Sequence, residues 1–204
     1  MNSKYDDQNE ASIIVQDLSL FRLPQGFRGR NAFICQFWWI VQDTIFRWSP
    51  QSAYGFRRWL LRLFGAKIGK NVLIRQTVKT TYPWRLTIGD FSWIGDDVHL
   101  YTLGDIVIGS SVCVSQDVYL CTGTRDSAKI DFPILAKPIV IDDQAWVSAD
   151  SFIMPGVRIG KGAIVGARSL VTTDVPPLMV AAGSPAKVIR QRKTEARIVG
   201  KTAT

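Results

Sequence analysis

The chain has one histidine, His99, the side chain that ordinarily titrates nearest neutrality. It stands in IGDDVHLYT, just beyond the carboxylates Asp96 and Asp97. Asp126 follows later in the run TGTRD. Carboxylates can orient a hydroxyl. They are feeble bases at their ordinary pKa, which burial raises. The cysteines Cys35, Cys113 and Cys121 show no CxxC spacing and no matching histidine cluster. They read as small buried hydrophobes in a reducing compartment, and no metal site or disulfide frame is expected. The net charge of +8 over 204 residues favours anionic partners: nucleotide cofactors, phosphorylated lipids, acidic sugars, a membrane surface or nucleic acid. No recognition helix, zinc pattern or RNP-like strand accompanies the charge, so nucleic acid is not expected.

The elements that must position these groups follow from spacing. From Ala66 onward apolar anchors recur every six residues: Ile68 and Ile74; Ile88, Ile94 and Leu100; Ile108, Val114 and Leu120; then Ile141, Val147, Ile153, Ile159, Val165 and Val171. A helix repeats near 3.6 and an amphipathic strand at 2, so neither explains this period. Four residues after each anchor comes a small or β-branched residue, such as Val72, Val98, Ala145 or Ser169. Six residues make one short strand and one turn, and three such units close a triangular coil. The chain is therefore expected to be mainly β, a parallel β-helix of about five coils. Glycine after many anchors is expected to supply backbone angles that other residues avoid. The register breaks by two residues before Ile88, by two before Ile108, and most strongly over 126–138, which reads as a projecting loop.

Residues 1 to about 30 are polar, then Gly-rich and basic, and read as extended or loosely ordered. Residues 31–65 predict two short helices, capped by Asn31, broken at Ser49-Pro50 and ended by Gly65. Their many rings either cap the end of the β core or, mixed with Arg47, Arg57, Arg58 and Arg62, touch a membrane surface. The expected division is 1–65 as an extension with helices, 66–192 as the β-helix, and 193–204 as a basic tail. The acidic start MNSKYDDQNE does not read as a signal peptide, and none is expected there. No apolar run reaches the length of a membrane span; Ala32 to Phe46 is broken by Gln36, Gln42 and Asp43. A cytoplasmic protein, peripheral at the inner membrane face at most, is expected.

The repeats, the loop and the ending DVPPLMVAAGSPAKVIR resemble the hexapeptide-repeat acyltransferases. The stretches LSLFRLPQGFRGRNA, LLRLFGAKIGKNVLIR, YPWRLTIGDFSWIGDDVHLYTLGDIVIG and YLCTGTRD resemble the WcaF-type colanic acid biosynthesis acetyltransferases, which are related to galactoside, maltose and NodL-like enzymes. The resemblance spans about residues 17–192. It implies left-handed coils, a homotrimer with its sites between neighbouring prisms, and acetyl-CoA as co-substrate. Carried over by position, Trp146, Ala149, Ala167, Thr172 and Arg190 match residues lining the cofactor site. Lys187, Arg190, Arg192 and Lys193 are then placed to pair with its phosphates. Asp97 falls where relatives hold a polar group against the acceptor. The acceptor implied is a sugar hydroxyl, free or on a lipid-linked oligosaccharide.

One position departs from the family. A general base must take the proton of the attacking hydroxyl. Relatives hold a histidine in a motif like TGSHD, whereas Thr122-Gly123-Thr124-Arg125-Asp126 stands here. Arg125 stays protonated at any usable pH and cannot be that base. His99 falls at a different corner of the triangle and reads as an exposed turn residue. Three readings stay open. Arg125 stabilises an oxyanion while Asp97, Asp126 or water handles the proton. Alternatively, the chain binds acetyl-CoA or a glycan without efficient turnover. In the third, Arg125 is a substitution in an otherwise ordinary enzyme.

Overall fold

A computed structural model describes residues 14–193 and residue 195; most of the expected basic tail lies outside them. Helix α1 (Ala32–Val41) starts at Asn31, whose side chain accepts from the Ile34 amide at 2.9 Å, as expected of an N-cap. A π-helical stretch, Gln42–Phe46, follows, and the chain breaks at Ser49-Pro50. Helix α2 (Tyr54–Leu63) ends at Gly65, where φ is +98°.

The six-residue anchors then build a three-sided left-handed solenoid. Its first coil is β1 (Lys67–Ile68), β2 (Leu73–Ile74) and β3 (Lys79–Thr80). The second is β4 (Leu86–Ile88), β5 (Trp93–Ile94) and β6 (His99–Tyr101). The third is β7 (Ile106–Ile108), β8 (Cys113–Val114) and β9 (Tyr119–Cys121). A hairpin, β10 (Gly123–Arg125) with β11 (Ile134–Ala136), projects before the fourth coil. That coil is β12 (Ile139–Ile141), β13 (Trp146–Val147) and β14 (Phe152–Ile153). The fifth is β15 (Arg158–Ile159), β16 (Ile164–Val165) and β17 (Leu170–Val171). A partial sixth adds Val175, bridged to Ile159, and β18 (Met179–Gly183). Strand β19 (Ala186–Gln191) turns back antiparallel on β18 and closes the second sheet.

Every anchor named above is buried, and so are the fourth-step residues, Ser151 and Ser169 included. Each buried Ile, Leu or Val contributes about 1.5–3 kcal/mol of transfer free energy, so the ladders of inward side chains hold the prism. The turn glycines work differently from the expectation. Positive φ falls on Asn71, Phe91, Asp97, Ser111, Gln144, Asp150 and Arg168, not on Gly69, Gly89 or Gly109. Gly89 is required by packing: a Cβ there would sit 2.6 Å from the Gly109 backbone in the next coil.

The three register breaks share one corner, between the third sheet and the first. There the 3-10 turn Pro83–Arg85, residues 102–105 and the projecting hairpin lie in successive coils. They build a second small core, in which Cys35, Tyr82 and Leu103 pack with Phe27, Trp39, Trp84, Tyr101 and Ile134. Residues 14–30, expected to be loose, lie along this corner. The Asp17 amide donates to Ile130 O, Trp84 Nε1 to Arg28 O at 2.8 Å, and Arg85 to Phe27 O.

The helices cap the open end of the first coil. Trp38 and Phe46 are buried against it, which bears out the capping role for these rings. Polar side chains satisfy the edge strands that no further coil covers. Arg57 Nε donates to Ile74 O at 2.6 Å, Arg58 to Val72 O at 2.8 Å, and Arg62 to Ile68 O and Gly69 O. Trp38 Nε1 donates to Thr80 O at 2.7 Å. Arg57 is fully buried and also donates to Ser49 Oγ, Pro50 O and Gln51 O. Arg57 therefore does not meet a membrane directly as expected, because it is fully buried and its guanidinium is taken by the prism and the turn at 49–51, whereas Arg58 and Arg62 spend only part of theirs on the prism.

Candidate active site

The repeat presents outward residues in ladders, one per coil. On the second sheet, Trp93, Cys113 and Trp146 pair in register just before their anchors. The two indoles are half-exposed and flank the small thiol. Trp146 Nε1 donates to Ser115 Oγ at 3.0 Å, which fixes its ring. Beside Trp93 opens a pocket of about 480 Å³, lined by Tyr54, Arg75, Trp93, Asp96, Asp97 and Ser115 among others. Arg75 Nε donates to both oxygens of Asp96 at 2.9 and 2.8 Å, so this carboxylate is held in an ion pair. Asp97 is exposed, and its amide donates to Thr77 Oγ1 at 2.7 Å, leaving its carboxylate facing the pocket. Trp93, Arg75 and Ser115 were not singled out from the sequence. Trp93 carried a signal all the same, since it precedes its anchor Ile94 just as Trp146 precedes Val147.

The expected site residues fall in two groups. Asp97, Ala149 and Ala167 stand at the corner between the second and third sheets, and Trp146 lies on the second sheet nearby. Arg125, Asp126 and Thr172 stand at the other corner, after the third sheet. Lys187 and Arg190 lie exposed on β19. One chain does not bring Arg125 and Asp97 together. Arg192, also placed toward phosphates by the resemblance, instead donates to Gln144 O and Gly162 O at 3.0 Å and fastens the last strand to the coils.

Arg125 ends β10 and is exposed. Its Nη1 donates to Phe132 O at 2.8 Å, and its guanidinium lies 4.6 Å from the Phe21 ring centre and 5.5 Å from that of Phe132. It thus clamps the N-terminal arm to the hairpin. Asp126 accepts from the Ala128 amide at 3.1 Å and holds the hairpin turn. His99 is not an exposed turn residue. It opens β6 on the face of the third sheet, half-buried, 4.5 Å from the Tyr119 ring centre. Burial, and then the nearby Lys79 charge, lower its pKa. Burial pushes the neighbouring Tyr119 hydroxyl up to about 12. Among the described residues no cluster of His, Cys, Asp and Glu suits a metal ion.

No family model matches the chain. The protein named as the colanic acid biosynthesis acetyltransferase WcaF of Escherichia coli K12 is 58% identical over 178 residues, covering 87% of this chain and 98% of that one. This chain belongs to the WcaF-type acetyltransferases. The galactoside O-acetyltransferase of E. coli K12 is 30% identical over 149 residues, covering 72% of this chain and 73% of its own. Among solved structures, a hexapeptide-repeat acetyltransferase of Vibrio cholerae complexed with acetyl-CoA superposes with a TM-score of 0.73 at 25% identity, covering 81% of this chain and 92% of that one. Arg125 stands where the resemblance implied a histidine.

Proposed function

We propose that the protein moves the acetyl group of acetyl-CoA to a sugar hydroxyl of an exopolysaccharide unit, colanic acid-like in kind. The carrying observation is the 58% identity over nearly the whole WcaF length. The acceptor oxygen attacks the thioester carbonyl carbon, the C–S bond breaks, an O-acetyl ester forms, and the hydroxyl proton ends on the departing CoA thiol. In this reading residues 66–192 are the acyltransferase unit, and acetyl-CoA lies along Trp146, Ala149, Ala167 and Thr172 with Lys187 and Arg190 toward its phosphates. The acceptor occupies the pocket of Asp97 and Trp93, where an indole stacks on a sugar face and a carboxylate orients its hydroxyl. Asp97 is half of a pair whose other half, Arg125 with Asp126, comes from a second copy. The separation of the two corners within one chain supports this, and a homotrimer closes it. The lipid-carried form of the acceptor puts the protein peripherally at a membrane.

Arg125 cannot accept the proton, which supports a second reading: a binder of acetyl-CoA that turns over slowly. Thiol release from acetyl-CoA with a panel of sugars and lipid-linked oligosaccharides, for the native chain and Arg125→His, tests both. Acceptor-dependent release by either form supports the transferase. Acetyl-CoA binding by calorimetry without release from either form overturns it in favour of the binder.

A further inference from the structure

We propose that the outer face of the helical cap seats on an anionic phospholipid bilayer, with rings of α1 and α2 and Trp48 entering the boundary between headgroups and acyl chains. The cap has two faces. Its inner face buries Trp38, Phe46, Leu60 and Leu61 on the first coil. Its outer face leaves Phe33 78% exposed, Ile40 62%, Trp48 82% and Leu63 64%. Between the helices runs a groove of about 650 Å³, lined by Ile34, Phe37, Ile45, Phe56, Trp59 and Leu63 among others. A contiguous apolar surface of this kind on a soluble chain marks a partner or a membrane.

Charge selects between them. Residues 31–65 hold Arg47, Arg57, Arg58 and Arg62 against a single acid, Asp43, and Arg30 lies at the groove. The guanidinium groups of Arg57, Arg58 and Arg62 donate to neutral oxygens, and among the described residues none of the three forms an ion pair, so the cap keeps a net positive charge. An apolar face above a positive layer complements an anionic lipid surface. A second copy of the same cap would oppose like charges. None of the described helices is long and apolar enough to cross a membrane, which is consistent with contact in the plane of the surface. The cap also adjoins the acceptor pocket: Tyr54 lines that pocket, and Phe56, two residues on along α2, lines the groove.

This inference rests on the peripheral placement proposed above but not on acyl transfer, so binding and thiol release are read separately. The full chain is sedimented with phosphatidylcholine vesicles, with and without phosphatidylglycerol. The variant Phe33→Ser/Ile40→Ser/Trp48→Ser changes only exposed side chains, and its melting temperature verifies its fold. Native protein is expected on the anionic vesicles, released by salt, with roughly tenfold weaker binding to neutral ones. The triple variant is expected to lose at least about tenfold in binding. Failure to bind anionic vesicles, or equal binding by the variant, overturns the proposal. So does a loss of oligomer mass in the variant by sedimentation velocity, which would place these rings between copies. Vesicle binding without thiol release by either the native chain or Arg125→His sinks only the acyl-transfer reading, and the converse sinks only this one.

Discussion

Arg57 and Arg125 each fasten a non-repeating segment to the same prism, by different means. Arg57 is fully buried, and four oxygens from the chain on either side of α2 take its donors. Arg125 is exposed and rests on one carbonyl and two rings. The end of a solenoid must satisfy a fixed set of backbone groups, so its cap is determined by many partners at once. The corner carrying the hairpin has no such obligation, and the side chain there is free to answer to chemistry. Residues at the cap are therefore expected to govern stability, and residues at the hairpin to govern rate.

The largest expected effect is at the cap. Arg57→Met leaves the buried Ile74 carbonyl and Ser49 hydroxyl without their donor, at about 1–3 kcal/mol each, for a total of about 3 kcal/mol. For a chain of this size that lowers Tm by about 6–12 °C, read by circular dichroism. A shift below about 2 °C would mean that the cap is not over-determined, and the contrast would collapse.

Arg125→His is the matching test at the hairpin. The guanidinium contacts it removes are exposed, so Tm is expected to move by less than about 3 °C. Placing a base there is expected to raise kcat at least roughly tenfold, a floor set below the roughly 10²–10⁴ typical of general bases. A slower Arg125→His would place Arg125 in a different catalytic arrangement and turn attention to Asp97 and Asp126.

The prism was legible because its signal is local and repeated. Each anchor from Ile68 to Val171 reports the same six-residue geometry, and Asn31 and Ser49-Pro50 mark helix boundaries through chemistry confined to a few residues. Arg57 misled because an Arg among apolar residues looks the same whether its guanidinium meets a headgroup or the Ile74 carbonyl. The glycines misled because Gly89 answers to a neighbour twenty residues away, Gly109, and not to its own φ. The docking of residues 14–30 was invisible because it depends on pairs such as Arg28 with Trp84, which no local pattern announces. The site residues were legible only by resemblance, whereas their division between two corners already follows from the six-residue register that separates His99 and Asp97 from Arg125.

The paired indoles sharpen the contrast within the second sheet. Trp146→Ala removes a cofactor platform in the proposed reading, with KM for acetyl-CoA rising roughly tenfold and kcat little changed. Trp93→Ala is expected to raise KM for the acceptor instead. If both substitutions raise the same KM, the two ligands do not divide along this ladder.

The smallest expected effect belongs to His99, which lies on neither fastening. Burial lowers its pKa in the folded chain below the 6.5 of an unperturbed imidazole. On acidification the unfolded chain therefore binds its proton first, so stability falls as pH drops through about 6.5 and continues to fall down to the lower folded value. The groups facing the imidazole, Lys79, Tyr101 and Tyr119, are cationic or neutral in this range and do not reverse the sign. His99→Phe continues the ring stack of Tyr119 and Phe152, whose centres are 5.0 Å apart. It is expected to flatten the Tm decline between about pH 7.5 and 5.5 by about 1–3 °C relative to the native chain. A parallel decline in both proteins would show that His99 takes up its proton in the folded state as easily as in water, and that its face of the third sheet is open.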